Sequence, residues 1–227
     1  MRTLGVIGGM GPAATFDFCA RLTAAAPAAR DQDHPRILVD CDPQVPDRNA
    51  AARGEGASPG AYIAEMARRL VAAGAEVLAM PCNTAHAYRA DIEAAASAPF
   101  VDMIAAAVDD ACAGGGSRIG VLAADGCIAA GLYQDALAAR GGACLLLTAD
   151  DQAAFMRLLY RIKAGDVGAD ARAGMAEFAA HLIAQGAAAV IAGCTEVPLV
   201  LSADDVRVRL VNSTDSLVRA TLAKLAS

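Results

Sequence analysis

Two stretches of the chain are near-copies of one another: LVAAGAEVLAMPCNTAH from Leu70 and LIAQGAAAVIAGCTEVP from Leu182, which set Cys82 against Cys194, 112 residues on. Two more landmarks repeat in the same order. GVIGG from Gly5 answers GVLAA from Gly120, 115 residues on, and FVDM around Val101 answers RLVN around Val211, 110 residues on. Three landmarks that keep order and spacing point to an internal duplication, so the chain must fold as two copies of one plan.

Within each copy, short apolar runs alternate with alanine-rich stretches of helical period. TLGVIG precedes a helix over 12–26, RILVDC one over 58–73, AEVLAM one over 84–97, and FVDM one over 103–113. After Gly114–Gly116 the rhythm restarts with RIGVLA, a helix over 127–140, CLLLT, helices over 151–164 and 169–185, AAVIAG, VRLVN and a last helix. This is the βαβα rhythm of a parallel sheet covered on both faces. The expected fold class is therefore α/β, built as two halves of one plan. With 58 alanines, 4% aromatic residues and no Trp, the interior must pack small aliphatic side chains closely. One segment escapes the rhythm, Cys41–Gly60, with three prolines and three glycines. It follows the carboxyl end of a strand, where open α/β sheets bind ligands, and reads as a binding loop.

Charge and cysteine content exclude other classes. Nineteen basic against 25 acidic residues give a formal charge of −6, with the cations scattered, which argues against nucleic-acid binding. Glycines and a proline break the apolar start, so no signal peptide is expected, and no apolar run of about 18 residues predicts a membrane span. The seven cysteines are an odd number without a CxxC pair, which fits neither a disulfide framework nor a zinc site, and suits a reducing cytoplasm. No His/Asp/Glu group has metal-ligand spacing.

The strongest constellation is the repeated cysteine. Pro81-Cys82-Asn83-Thr84 and Gly193-Cys194-Thr195-Glu196 each stand where an apolar strand ends and a helix is expected to begin. Helix N-terminal amides there would lower the thiol pKa and favour thiolate. Asn83 and Thr195 follow the thiols and offer hydrogen bonds to an oxyanion. Equivalent thiols in facing halves can take a proton from one face of a carbon and return one to the other. Inert buried cysteine remains the reading for several of the other five, but the polar CNT and CTE flanks do not suit plain core.

Other features carry plainer alternatives. Gly9-Met-Gly11-Pro-Ala-Ala14 fits GxGxxA, yet no acidic residue stands at a strand end about 20 positions on, so a loop presenting amides to a carboxylate is the better use. His86, four residues after Cys82, lacks a third member for a hydrolase triad and reads as structural or hydrogen-bonding. Glu196 reads either as a helix N-terminal charge or as a group tuning Cys194. Only Lys163 and Lys224 are available for a pyridoxal imine. Lys224 looks structural, and Lys163 reads equally as a solvated helix end or a substrate clamp.

Together GVIGGMGP, DQDHP, PQVPDR, MPCNTAH and IAGCTEVPL resemble the cofactor-independent aspartate/glutamate racemase family, closest to its aspartate racemase branch, over essentially the whole chain. The resemblance implies a racemase that interconverts L- and D-aspartate, or glutamate, with no cofactor and with Cys82 and Cys194 as its acid/base pair. It implies that Asn83, Thr84 and Thr195 hold the substrate α-carboxylate, that Met10 lies in the first loop of the pocket, and that Arg48 and Lys163 bind the side-chain carboxylate. It implies two pseudo-symmetric α/β domains, each a parallel sheet flanked by helices, residues 1–102 plus 213–227 and residues 103–212, with the active site in the cleft between them, a small acidic amino acid as partner and a homodimer as assembly. Ala124, Asp125 and Cys127 stand where relatives usually carry threonines, and a carboxylate at Asp125 would repel an acidic substrate if it faced the cleft. The alternatives are a racemase, isomerase or decarboxylase of another small carboxylate, or a non-catalytic amino-acid-binding protein.

Overall fold

Leu4–Gly8 is buried at every position, and the computed structural model, which describes Met1–Ser227, makes it an inner strand of a parallel sheet. In chain order the first part runs β1 (Leu4–Gly8), α1 (Pro12–Ala25), β2 (Ile37–Cys41), α2 (Arg48–Ala52), α3 (Gly60–Ala72), β3 (Val77–Ala79), α4 (Arg89–Ala95) and β4 (Phe100–Val101). The second part runs α5 (Met103–Cys112), β5 (Arg118–Leu122), α6 (Asp125–Ala129), α7 (Leu132–Ala138), β6 (Ala143–Leu145), α8 (Ala149–Lys163), α9 (Ala169–Ala184), β7 (Ala189–Ala192), β8 (Arg209–Asn212) and α10 (Ser213–Ala226). The sheets are ordered β2-β1-β3-β4 and β6-β5-β7-β8, so the second repeats the topology of the first. All strand pairs are parallel. Two compact units result, Met1–Met103 with Thr214–Ser227, and Ile104–Ser213.

Each sheet is covered on both faces, because its strands are apolar on both. In the first unit Leu4 and Val6 face Phe18, Leu22 and Leu217, while Ile7, one residue out of phase, faces Ile63, Met66 and Leu70. The last helix returns to this unit by burying Leu217, Val218 and Leu225 against β1 and β3. At about 1.5–3 kcal/mol for each fully buried side chain, those three residues dock it firmly. In the second unit Val190 and Ala192 face α8 and α9, and Val121 and Ile191 face α5 and α7.

The duplicated sequence has a packing cause. A Cβ on Gly5 would lie 2.7 Å from Cβ of Ala75 and 3.2 Å from Cβ of Leu70. A Cβ on Gly120 would lie 2.9 Å from Cβ of Leu182 and 3.3 Å from that of Ala187. These are matching positions of the repeat. In each unit a glycine in the first strand lets the helix before the third strand approach it closely.

Two expected elements differ. The helix expected over 127–140 is divided into α6 and α7, because Gly131 takes φ +67, which no helix interior accepts. The segment expected to be structureless contains α2, whose first turn is capped by Asp47 through a bond from the Ala50 amide. Gly120→Ala should overpack the contact with α9 and lower stability by about 1–3 kcal/mol, read as a lower denaturant midpoint with an unchanged slope.

Candidate functional site

In a sheet buried on both faces, chemistry is left to the loops at the carboxyl ends of the strands. In the first unit the β1 loop turns at Gly9, with φ +92 and the Asp42 backbone where a Cβ would go, so only glycine fits. The Thr15 hydroxyl pins this loop to α1. It accepts from the Gly9 amide at 2.9 Å and donates to the Gly11 carbonyl at 2.9 Å. Met10 is thereby held inward, packed in one cluster with Val45, Met80 and Cys82.

Arg48 opens α2 and is half-buried. Its Nη1 donates to the carbonyls of Val45 at 3.3 Å and Pro46 at 3.1 Å, and its Nη2 to that of Met10 at 3.4 Å. The guanidinium thus ties its own loop to the β1 loop and retains further N–H donors. Tyr88 lies within its field: burial pushes the phenol pKa up, and the Arg48 charge opposes this.

Cys82 lies three residues beyond β3 and is 6% exposed; Asn83 and Thr84 after it are also buried. His86 anchors this turn. Its Nδ1 bonds the Cys82 carbonyl at 2.8 Å, and the Met103 amide donates to its Nε2 at 3.0 Å. A carbonyl only accepts and an amide N–H only donates, so the ring is neutral with its proton on Nδ1. Burial, which lowers the imidazole pKa, agrees. Of the two roles open to His86, the structure places it in hydrogen bonding.

In the second unit, Cys194 lies two residues beyond β7 and is 8% exposed. Its thiol donates to Oε2 of Glu196 at 3.0 Å, as does the Thr195 hydroxyl at 3.2 Å. Nζ of Lys163, the last residue of α8, donates to Oε1 of Glu196 at 2.8 Å. Lys163, at the end of α8, is thus bound to a buried carboxylate. Burial alone would favour the neutral acid, but the Lys163 charge and the bonds from Cys194 and Lys163 outweigh it and hold Glu196 below the ordinary carboxylate range.

The expected lowering of thiol pKa by helix amides is corrected at Cys194. Burial first, and the Glu196 carboxylate second, push this thiol well above its ordinary value, so it is a thiol at neutral pH. The segment after Cys194 is a single 3-10 stretch, Val197–Leu199, too short to present the dipole of a full helix. Asp125 is exposed at the carboxyl end of β5, where its carboxylate accepts a bond from Gln152 at 2.8 Å.

Sequence reasoning missed the bond from Lys163 to Glu196 and the place of Tyr88 beside Arg48. No local signal marks a contact between residues 33 positions apart, whereas the four-residue step from Cys82 to His86 was a usable one.

Residues 7–221 match the Asp/Glu/Hydantoin racemase family. The chain belongs to this family. As a racemase it is an isomerase. It is 25% identical, over 230 residues covering 97% of this chain and 96% of the relative, to the broad specificity amino-acid racemase RacX of Bacillus subtilis (strain 168). Its structure matches the Picrophilus torridus aspartate racemase with a TM-score of 0.88 at 26% identity, covering 100% of this chain and 95% of that one. A glutamate racemase from Francisella tularensis subsp. tularensis SCHU S4, in complex with D-glutamate, has a TM-score of 0.76 at 18% identity, over 99% and 81% of the two chains, and shares the fold. No helix of the racemase is long and apolar enough to cross a membrane.

His86 gives the racemase a specific acid sensitivity. Its folded pKa is depressed, so the unfolded state binds the proton more readily, and the stability from this site is present above about pH 6.5 and lost as pH falls through that value. His86→Gln should therefore cost about 1–3 kcal/mol at pH 8 and show a flatter fall in stability between about pH 7 and 5 than the parent protein, measured by denaturant unfolding at each pH.

Proposed function

We propose that the protein interconverts the enantiomers of an acidic amino acid, aspartate or glutamate, without a cofactor, with Cys82 and Cys194 as the two acid/base groups. The observation that carries this reading is the pair of thiols at matching carboxyl ends of β3 and β7, in a chain of this family. The mechanism requires each thiol to reach one face of the same α-carbon. One, as thiolate, removes the α-proton, and the other, as thiol, delivers a proton to the opposite face. Asn83, Thr84 and Thr195 are buried polar groups beside the thiols and are assigned to the α-carboxylate, where bonds that strengthen as enolate character develops lower the barrier. Arg48 is assigned to the side-chain carboxylate, with Met10 in the wall beside it. Lys163 is assigned a supporting electrostatic role there through its bond to Glu196. The domain division, 1–102 plus 213–227 against 103–212, and a homodimer, read by light scattering, belong to the same proposal.

A second reading, an amino-acid racemase of wider substrate range, is favoured by the likeness to RacX. Chiral chromatography of reactions with a panel of acidic, neutral and basic amino acids, using exhaustively dialysed protein, separates the two. Turnover of aspartate or glutamate above the rest supports the first reading; turnover centred on neutral or basic amino acids replaces it with the second. Activity that returns only with added pyridoxal phosphate or metal overturns both.

Arg48→Ala should raise KM for aspartate about 10–100-fold, as loss of a charged hydrogen-bond partner does, with a smaller change in kcat, and Arg48→Lys should restore part of it. Unchanged aspartate kinetics in the alanine variant would reduce Arg48 to a fastener of its loop.

A further inference from the structure

Glu196 is buried, with 7% of its side chain exposed, and all of its described bonds converge on one purpose. Oε2 receives the Cys194 thiol and the Thr195 hydroxyl, and Oε1 receives the Lys163 ammonium. Burial favours the neutral thiol, the Lys163 ammonium by itself favours thiolate, and the Glu196 carboxylate opposes the pull of Lys163. The carboxylate stands in place of that thiolate as the partner of Lys163, and at the same time offers the thiol proton an acceptor. We propose that Glu196 is a positioning residue that fixes the resting protonation of Cys194, making it the proton donor and leaving Cys82 to act as base when turnover starts from the resting protein.

The inference rests on the two-thiol reading above, and the step balances. The C–H bond at Cα breaks as its proton passes to Sγ of Cys82, and the electron pair left on Cα takes the proton of the Cys194 thiol from the opposite face. Cys194 is then a thiolate beside the Glu196 carboxylate, and the repulsion between the two favours recovery of a proton from water. Cys82 gives its proton up to water, and the resting state returns.

The geometry agrees with the electrostatics. Burial is the largest cause of the raised thiol pKa; of the charged groups, Glu196 from its own loop adds to the rise and Lys163 from α8 opposes it. Asp125, at the end of neighbouring β5, is bonded to Gln152 of α8.

The test is the pH dependence of iodoacetamide alkylation at Cys194 in substrate-free protein, followed by peptide mass spectrometry. In the parent protein the rate at neutral pH should be low and should rise only well above the free-thiol value of about 8.5. Glu196→Gln removes the opposing negative charge and keeps that of Lys163, so the profile should move down by about one pH unit or more, giving about tenfold faster labelling at pH 7. The limb of the pH–rate profile that reports Cys194 should move with it. Glu196→Asp should stay near the parent profile, and Lys163→Met should move it up. A Glu196→Gln profile that is unchanged, or moved up, overturns the proposal. If that variant does not fold by circular dichroism, Lys163→Met decides alone, and an unchanged profile there is equally fatal. Parent protein that racemises no amino acid, yet shows these labelling shifts, would sink the two-thiol reading while leaving the control of Cys194 by Glu196 intact.

Discussion

A parallel strand buried on both faces commits its side chains to packing and its backbone groups to its neighbours, and this constraint governs the whole protein. Both sheets are of this kind, with a glycine in the first strand admitting a helix at close range. Variation is then confined to the segments that leave the strands. The residues assigned to the proposed reaction stand in those segments: Met10 after β1, Cys82 to Thr84 after β3, and Cys194 to Glu196 after β7. Arg48 is brought to the first of them by a short capped helix that bonds back to the Met10 carbonyl.

The two cysteine loops share a backbone plan and differ in their electrostatic surroundings. The Cys82 loop is braced by a neutral imidazole bonded to a main-chain carbonyl, which adds rigidity and no charge. In the Cys194 loop, one carboxylate accepts from the thiol on one oxygen and from an ammonium on the other. Duplication of the fold therefore did not produce duplicate sites. A reaction with two different faces at one carbon is suited to unlike groups, and the difference arises from Glu196, which has Thr84 at the matching position of the other repeat.

Much of this was legible in the sequence, where packing leaves a periodic trace. Gly5 and Gly120, Leu70 and Leu182, and Ala75 and Ala187 keep their spacing because the same close contact is made twice, so the repeat and its parallel sheets could be read from the letters. Strand ends showed as the change from apolar to polar residues at Pro81-Cys82-Asn83 and Gly193-Cys194-Thr195. Tertiary electrostatics left no such trace. The bond between Lys163 and Glu196 spans α9 and β7 in sequence, and the rise in the Cys194 pKa depends on burial that local spacing does not report. The helix α2 was hidden because its cap, Asp47, lies within a proline- and glycine-rich segment that reads as loop, and the break at Gly131 was hidden because an alanine-rich stretch continues on either side of it.

The division of labour between Cys82 and Cys194 is tested most directly by α-deuterium exchange on each enantiomer of aspartate separately, in deuterated water. A serine hydroxyl is far too weak an acid to replace either thiol, so Cys82→Ser and Cys194→Ser should each lose racemisation by about 10²–10⁴-fold. Each should keep slow exchange on one enantiomer only, the enantiomer differing between the two variants, and the double variant should show none. A single variant that racemises at near the parent rate, or two variants that exchange the same enantiomer equally well, would contradict it.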